Sequence, residues 1–296
     1  IYGSDQMTEG FSGDLCELLV LYYGGFTPLL QATASWHPHL IIDPEHHAAK
    51  EFDESLIVID PVDPRRNVSA AVSLDRMVEF VELAQGYLEF PSEKYFQVPV
   101  PQTITKEELG NLLAKRGTGL YAITFATPPY IEEVIVPQLK RSMLALVEHL
   151  ERNGFTVHHA HYNMEEVRCM FLMELLVTEL PSVRIHTGPP LWNRTNAEKF
   201  REKYVASLLP GPYINDGKYE MEVHREFTRV DTLLKSETIL QIRLGKHVRQ
   251  VLANGWELHR GSECWYEEFA SFIAGFFDRC SPLVRVKREM VPQGKT

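Results

Sequence analysis

Apolar positions along this chain change their spacing several times, and each change marks an element. From Phe11 to Ala34 the runs FSGDLCELLVLYYGG and FTPLLQATA read as a buried helix or helix pair, with Ser12 placed to cap it and Gly24-Gly25 to break it. A loop rich in His and Pro follows from His37 to His47, and then an apolar strand, SLIVID. Ser73 offers an N-cap to LDRMVEFVELAQGYL, whose Leu74, Met77, Val78, Val81 and Leu88 fall mostly at helical spacing. The run FQVPVPQTI reads as a linker.

Beyond it, Thr105 and Glu108 form a capping-box pattern for a short helix ending at Gly117. The strand YAITFAT comes next, then an amphipathic helix from Ile131 to Arg152 stopped by Gly154, strands around FTVHHAHY and VRCMFLMELLV, and a shorter one at VRIHT. Strand, helix, strand, strand predicts a small sheet with helices on one face. A further unit begins near Trp192. Asn196 is placed to cap AEKFREKYVASLL, Asp216-Gly217 is a hairpin turn before KYEMEVHREF, and a helix runs from about Thr238 to Asn254-Gly255. The stretch WYEEFASFIAGFF is assigned to the sheet's core. The fold class is therefore α+β and multidomain: a mainly helical domain over 1–98, a sheet-and-helix domain over 103–190 plus 255–296, and an inserted α/β domain over 191–254.

Composition narrows the class. At 296 residues and 44% hydrophobic content the chain can bury a real core, and it holds neither a membrane-length apolar run nor a signal peptide. Four cysteines, Cys16, Cys169, Cys264 and Cys280, lie far apart without a C-x-x-C pair, which favours a reducing cytoplasm over a disulfide scaffold or zinc knuckle. The net charge of −10 is uneven. Residues 1–100 carry five Lys/Arg against sixteen Asp/Glu, and residues 101–296 carry twenty-five against twenty-four. That balance argues against indiscriminate nucleic-acid binding but leaves room for a local basic face.

Candidate chemistry is sparse. Asp60 and Asp63 in IVIDPVDPRRNV stand three apart among prolines, so no shared strand face presents them; turn chemistry is favoured over a metal pair, and Arg65-Arg66 then sits on a rigid shelf. Glu220-Met221-Glu222 has the i, i+2 spacing of a metal pair without a preceding Gly-Ser. His37, His39, His46 and His47, with His158, His159 and His161, form two clusters for which a solvated loop and a strand face are favoured over metal. No nucleophile elbow, P-loop or Rossmann fingerprint occurs. Lys199, Arg201, Lys203, Arg225, Arg229, Lys235, Arg243, Lys246 and Arg249 gather late, with Tyr204, Tyr213 and Tyr219 among them. A phosphate-tracking face and a solvated helix face are equally good readings.

Two runs carry a resemblance. The stretch IYGSDQMTEGFSGDLCELLVLYYGGF, followed by IVIDPVDPRRNVSAAVSLDRMVEFVELAQ, resembles the central domain of class I (archaeal-type) CCA-adding tRNA nucleotidyltransferases. VPQLKRSMLALVEHLERNGF is similar to the family's body helix, and NAEKFREKYVASLLPGPYINDGKYEMEVHREFT to its tail. Asp14 departs from the aromatic residue such a likeness leads one to expect.

The resemblance implies a central domain, a body with an RRM-like or ferredoxin-like sheet, and a tRNA-binding tail. It implies that the catalytic head, with the carboxylates that bind Mg²⁺, precedes Ile1 and is absent here, so that this chain alone is inactive. Tyr2 then helps hold the triphosphate of CTP or ATP, and Arg66 reads the edge of the incoming base. Lys199, Arg201, Arg225, Arg229, Arg243, Lys246 and Arg249 are the candidate contacts to the acceptor stem and TψC arm of tRNA. The 3′ hydroxyl attacks the α-phosphate, and C, C and A are added without a nucleic-acid template. A homodimer is allowed for. The alternatives are a related poly(A) or oligoadenylate polymerase and a stand-alone RNA-binding module.

Overall fold

The computed structural model describes residues 2–5, 7–97 and 102–290. By backbone proximity the chain falls into two compact units, one of residues 1–103, 130–137 and 270–296, the other of residues 104–129 and 138–269. The architecture is α+β.

In the first unit the apolar run after Ser12 folds as two helices, α1 (Gly13–Tyr23) and α2 (Phe26–Thr33). The Ser12 hydroxyl accepts the Leu15 N–H at 3.2 Å, and Gly24 ends α1 in the left-handed region at φ 77°. Strand β1 (Leu40–Ile42) pairs parallel with β2 (Leu56–Val58), Leu40 opposite Leu56. The first of these strands lies inside the stretch read from sequence as a His-Pro loop. Ser73 caps α3 (Leu74–Glu89) as expected. The predicted stripe on α3 needs correction, because Leu74 and Val78 are nearly half exposed and the buried positions are Met77, Ala84 and Gly86. Met77 joins Phe11, Leu15, Leu19, Leu29, Trp36, Ile42, Leu56, Val58 and Val72 in one core, with Phe80 edge-on to both Phe11 and Trp36.

The second unit opens with α4 (Lys106–Arg116), whose N-terminus is the reciprocal capping box of Thr105 and Glu108 and whose end is Gly117 at φ 67°. Strand β3 (Gly119–Ala126), helix α5 (Glu132–Arg152), of which residues 132–137 group with the first unit, β4 (Val157–Met164) and β5 (Arg168–Leu175) follow. The apolar stripe of α5 is Ile135, Leu139, Met143, Leu146 and Leu150, all buried. Next come β6 (Val183–Pro190), α6 (Arg194–Tyr204), β7 (Tyr213–Asn215), β8 (Lys218–His224), α7 (Val230–Lys235), α8 (Lys246–Ala253) and β9 (Glu257–Arg260). The larger sheet runs β4-β5-β3-β9 with every neighbour antiparallel, Tyr121 facing Met173 on one side and Arg260 on the other. Ranked by chain order, its strands stand second, third, first, fourth across the sheet, with α5 crossing between the first and second. Leu120 to Phe125 are buried without alternation, as are Cys169 to Leu175, so this sheet is covered on both faces rather than one.

The smaller sheet, β6-β8-β7, begins upstream of the boundary read at Trp192, and α6 packs Ala197 and Phe200 onto it. Asn196 lies inside α6, whose cap position is Asn193. Asp216 and Gly217 take φ 44° and 70°, the two left-handed residues a tight hairpin demands. The helix expected from Thr238 splits into a short 3-10 turn over Glu237–Gln241 and α8. A side chain at Gly245 would meet Gln138 Cβ at 2.4 Å, so the chain approaches α5 too closely there for anything but glycine.

Helices α9 (Ala270–Phe277) and α10 (Pro282–Met290) group with the first unit, where the sequence reading assigned them to the larger sheet. For α10 the contact is a knob in a hole: the Leu283 side chain occupies the space a Cβ on Gly86 would take, and Ser281 Oγ donates to Glu82. The linker read over FQVPVPQTI lies in part, residues 98–101, outside the described residues. No helix among the described residues is long and apolar enough to cross a membrane.

Candidate functional site

The site grows out of the end of β2. Strand pairing continues to Ile59, whose N–H reaches Ile42 O at 2.9 Å, and then stops at Asp60-Pro61, where proline has no N–H to offer. Asp60 Oδ1 accepts the N–H groups of Val62 at 2.8 Å and Asp63 at 3.3 Å. Asp63 Oδ1 accepts from Arg65 N at 2.9 Å, and Asp63 O accepts from Arg66 N at 3.0 Å. These are side-chain turns of the kind aspartate forms beside proline. The chain then returns: Asp60 N donates to Arg66 O at 3.1 Å, and Val68 N to Val58 O at 2.8 Å.

Arg66 leaves this return with a side chain 61% exposed, its Nη1 donating to Asp60 Oδ2 at 3.1 Å, while the Asp60 side chain is only 14% exposed. The Val62 N–H, with that of Asp63 and the Arg66 guanidinium, holds the Asp60 carboxyl below its ordinary value although partial burial pushes it up. Residues sequence reasoning passed over hold the shelf from below. Asn67 Oδ1 accepts from Val58 N at 2.9 Å and Ser69 N at 3.0 Å, and its Nδ2 donates to Leu56 O at 3.1 Å, all buried. From the side, His47 Nε2 donates to Asp60 O at 3.0 Å, Ala49 N donates to Pro64 O, and Asp43 caps the His47 and Ala48 N–H groups. The His-rich loop is thus a brace for the shelf. Its advance signal was the paired histidines alone.

Tyr2 stands on a second loop. Gly3 N donates to Phe11 O and Gly10 N to Gly3 O, Asp5 Oδ1 caps Met7 and Thr8, and Arg76 Nε ties Thr8 O down at 3.0 Å. The Tyr2 ring is 75% exposed, and its hydroxyl would lie 3.3 Å from a Cβ at Gly13, the first residue of α1. That places a phenol O–H beside a helix N-terminus, where backbone N–H groups favour an anion.

The seven basic candidates divide. Lys199 and Arg201 lie exposed on α6, and Lys246 and Arg249 are exposed on α8, where Arg249 Nη2 also donates to Ile242 O at 2.6 Å. Arg243 precedes α8 and does not share its face. Arg225 donates to Asn153 O at 3.3 Å; Arg229 is held by Asp231 at 3.0 Å and lies 3.8 Å from Glu179. Tyr204 and Tyr219 pack on Phe200, the Tyr219 ring parallel to it, and Lys203 Nζ stands 4.9 Å from the centre of the Tyr204 ring.

Magnesium, implied by the resemblance, does not fit the acids described. Both Asp60 oxygens are taken as above, Glu220 accepts from Thr187 Oγ1 and Asn215 Nδ2, and among the described residues no three His, Cys, Asp or Glu side chains converge.

A family model described as the second domain of tRNA nucleotidyltransferase matches residues 1–97, and one described as the C-terminal domain of the CCA-adding enzyme matches residues 116–261. A CCA-adding enzyme of Methanoregula boonei is 62% identical over 289 residues, which is 98% of this chain and 63% of that protein. The chain belongs to the CCA-adding enzyme family. Other CCA-adding enzymes, from Methanosarcina mazei and Haloarcula marismortui, are 39% and 34% identical over 89% and 94% of the chain. The chain spans 58–63% of the length of these relatives. The shelf and the Tyr2 loop both fall in the segment matched by the second-domain model, and every strand of the two larger sheets falls in the C-terminal match.

Proposed function

We propose that this chain is the substrate-positioning part of a CCA-adding tRNA nucleotidyltransferase, which extends the tRNA 3′ end with C, C and A from CTP and ATP without a nucleic-acid template. The observation that carries this reading is the shelf: two aspartates spend their hydrogen bonds on the turn, and a guanidinium is presented at its rim. Arginine offers a planar fork of donors that matches the oxygen and nitrogen acceptors of a base edge. Tyr2, beside the start of α1, holds the triphosphate. The cations Lys199, Arg201, Arg243, Lys246 and Arg249 track the phosphates of the acceptor stem and TψC arm, a mode of binding that reads A-form shape rather than sequence. The metal-binding carboxylates and Mg²⁺ are assigned to a further catalytic segment, for which the relatives' greater length leaves room.

The test is a chimera in which this chain replaces the matching segment of the Methanoregula boonei relative. It should add CCA to a tRNA lacking it. Extension by A alone would favour the polyadenylating alternative, and RNA binding without extension the binding module. Changing Arg66→Ala in the chimera should reduce selection of CTP and ATP over UTP and GTP by about tenfold or more while tRNA affinity stays within about twofold. Loss of tRNA affinity with base selection intact would remove Arg66 from its assigned role.

A further inference from the structure

An exposed arginine is a poor reader unless something aims it. A guanidinium on a free arm keeps its rotamer freedom and samples many directions. Arg66, 61% exposed, is nevertheless clamped twice by a single residue: Asp60 N–H donates to its carbonyl at 3.1 Å, and Asp60 Oδ2 accepts from its Nη1 at 3.1 Å. Asp60 cannot easily swing to follow the arginine. Its other oxygen is fastened to Val62 N and Asp63 N, its carbonyl takes His47 Nε2, and its side chain is 14% exposed. The acid is the fixed partner and the arginine the mobile one. An exposed ion pair of this kind adds little to stability, so the consequence of the contact is directional. With one Nη1 hydrogen committed to Asp60, the guanidinium still carries the Nε and Nη2 donors of its fork.

We infer that Asp60 is the positioning residue for base selection, acting through Arg66 by fixing the plane in which the guanidinium meets the incoming nucleobase; this rests on the base-reading role proposed above for Arg66. Asp63 has no such part: its carboxylate accepts the Arg65 N–H, and it meets Arg66 through backbone, its carbonyl accepting the Arg66 N–H.

Asp60→Asn separates aim from architecture. An amide oxygen still accepts from Val62 and Asp63, while the amide NH₂ faces Arg66 as donor against donor. In the chimera this variant should lose roughly five- to tenfold in selection of CTP over UTP and ATP over GTP. The loss should come through a raised KM for the correct nucleotides, with kcat and tRNA affinity little changed. The double variant with Arg66→Ala should be no worse than Arg66→Ala alone, because Asp60 acts only through that side chain. In the isolated chain, the Arg66 side-chain N–H signals in NMR should show slowed guanidinium rotation that Asp60→Asn abolishes. Unchanged rotation, or wild-type selection in Asp60→Asn beside impaired selection in Arg66→Ala, would overturn the inference and leave the base-reading role standing. Additive losses in the double variant would overturn it too, since they require an independent action of Asp60. If Arg66→Ala itself leaves selection intact, the base-reading role falls first and this inference with it.

Discussion

Glu174 is the most deeply buried acid described in this chain, 1% exposed near the end of β5. Burial alone would push its carboxyl up, but Arg116 donates through Nε at 2.6 Å and Nη2 at 2.9 Å, and Thr118 through Oγ1 at 2.5 Å. Together these hold it below its ordinary value of 4.5. A carboxylate with a depressed pKa in the folded state contributes stability that is fully present above its unfolded pKa and drains away as pH falls through the folded one. The stability of the second unit should therefore hold at neutral pH and decline below about 4.5. Glu174→Gln should melt lower at pH 7, by about 2 kcal/mol since Arg116 loses a charged partner but remains partly solvated, and its melting temperature should depend less on pH across the acid range. A pH profile parallel to that of the unaltered chain would show that the pair does not govern acid stability. At the same scale Asn67 illustrates what sequence reasoning misses. A buried asparagine serving Leu56, Val58 and Ser69 carries no spacing that distinguishes it from a turn asparagine.

Among elements, α10 packs on α3 at a position that has no side chain. It contributes no fully buried residue, yet Leu283 sits where the Cβ of any residue but glycine at position 86 would stand, 2.3 Å away. Glycine inside a helix ordinarily costs about 0.5–1 kcal/mol relative to alanine, so Gly86→Ala would stabilise a free α3. Here it should instead loosen α10, seen as faster hydrogen exchange over residues 282–290 and a lower melting temperature. Adding Leu283→Ala should open the space again and recover the helix-propensity gain. Unchanged exchange in Gly86→Ala would mean that α10 is held by other contacts, such as the bond from Lys94 to Glu289 O. Elements with strong local punctuation were legible in the sequence: α1, α3 and α4 begin at the capping residues read for them, and the β7–β8 hairpin turns at Asp216-Gly217. The three-residue β1 and four-residue β9 were not, because strands that short take their definition from the neighbour they pair with.

For the molecule as a whole, charge separates the two ends of the chain: the first hundred residues are strongly acidic and the rest nearly neutral, with the exposed cations of α6 and α8 in the latter part. Under the proposed tRNA-binding role, the salt dependence of affinity resides beyond residue 100. Replacing Lys199, Arg201, Arg243, Lys246 and Arg249 by glutamine should reduce the slope of log affinity against log salt by about one for each phosphate left without its cation. Arg225→Gln should alter that slope little and lower the melting temperature, because its guanidinium is part-buried and engaged with Asn153 O, whereas Arg249 keeps an exposed guanidinium although it donates to Ile242 O. An unchanged slope in the five-residue variant would return these helices to the status of ordinary solvated faces.

What the sequence by itself determined are the features whose partners lie within a few residues: helix caps, the glycine stops, the hairpin, the aspartate turns at Pro61 and Pro64, and the motifs that carry family membership. Each cap or turn is an interaction of i with i+2 to i+4, so the local string contains both halves of it. Only the tertiary structure decided that Arg66 pairs with Asp60, that the His-rich loop braces the shelf, which of the seven cations make internal bonds, and that α10 returns to α3. Those outcomes depend on side chains 6 to almost 200 residues apart meeting at particular distances. Hydrophobic burial, which has no preferred direction along the chain, brings them there, and no local pattern records the encounter.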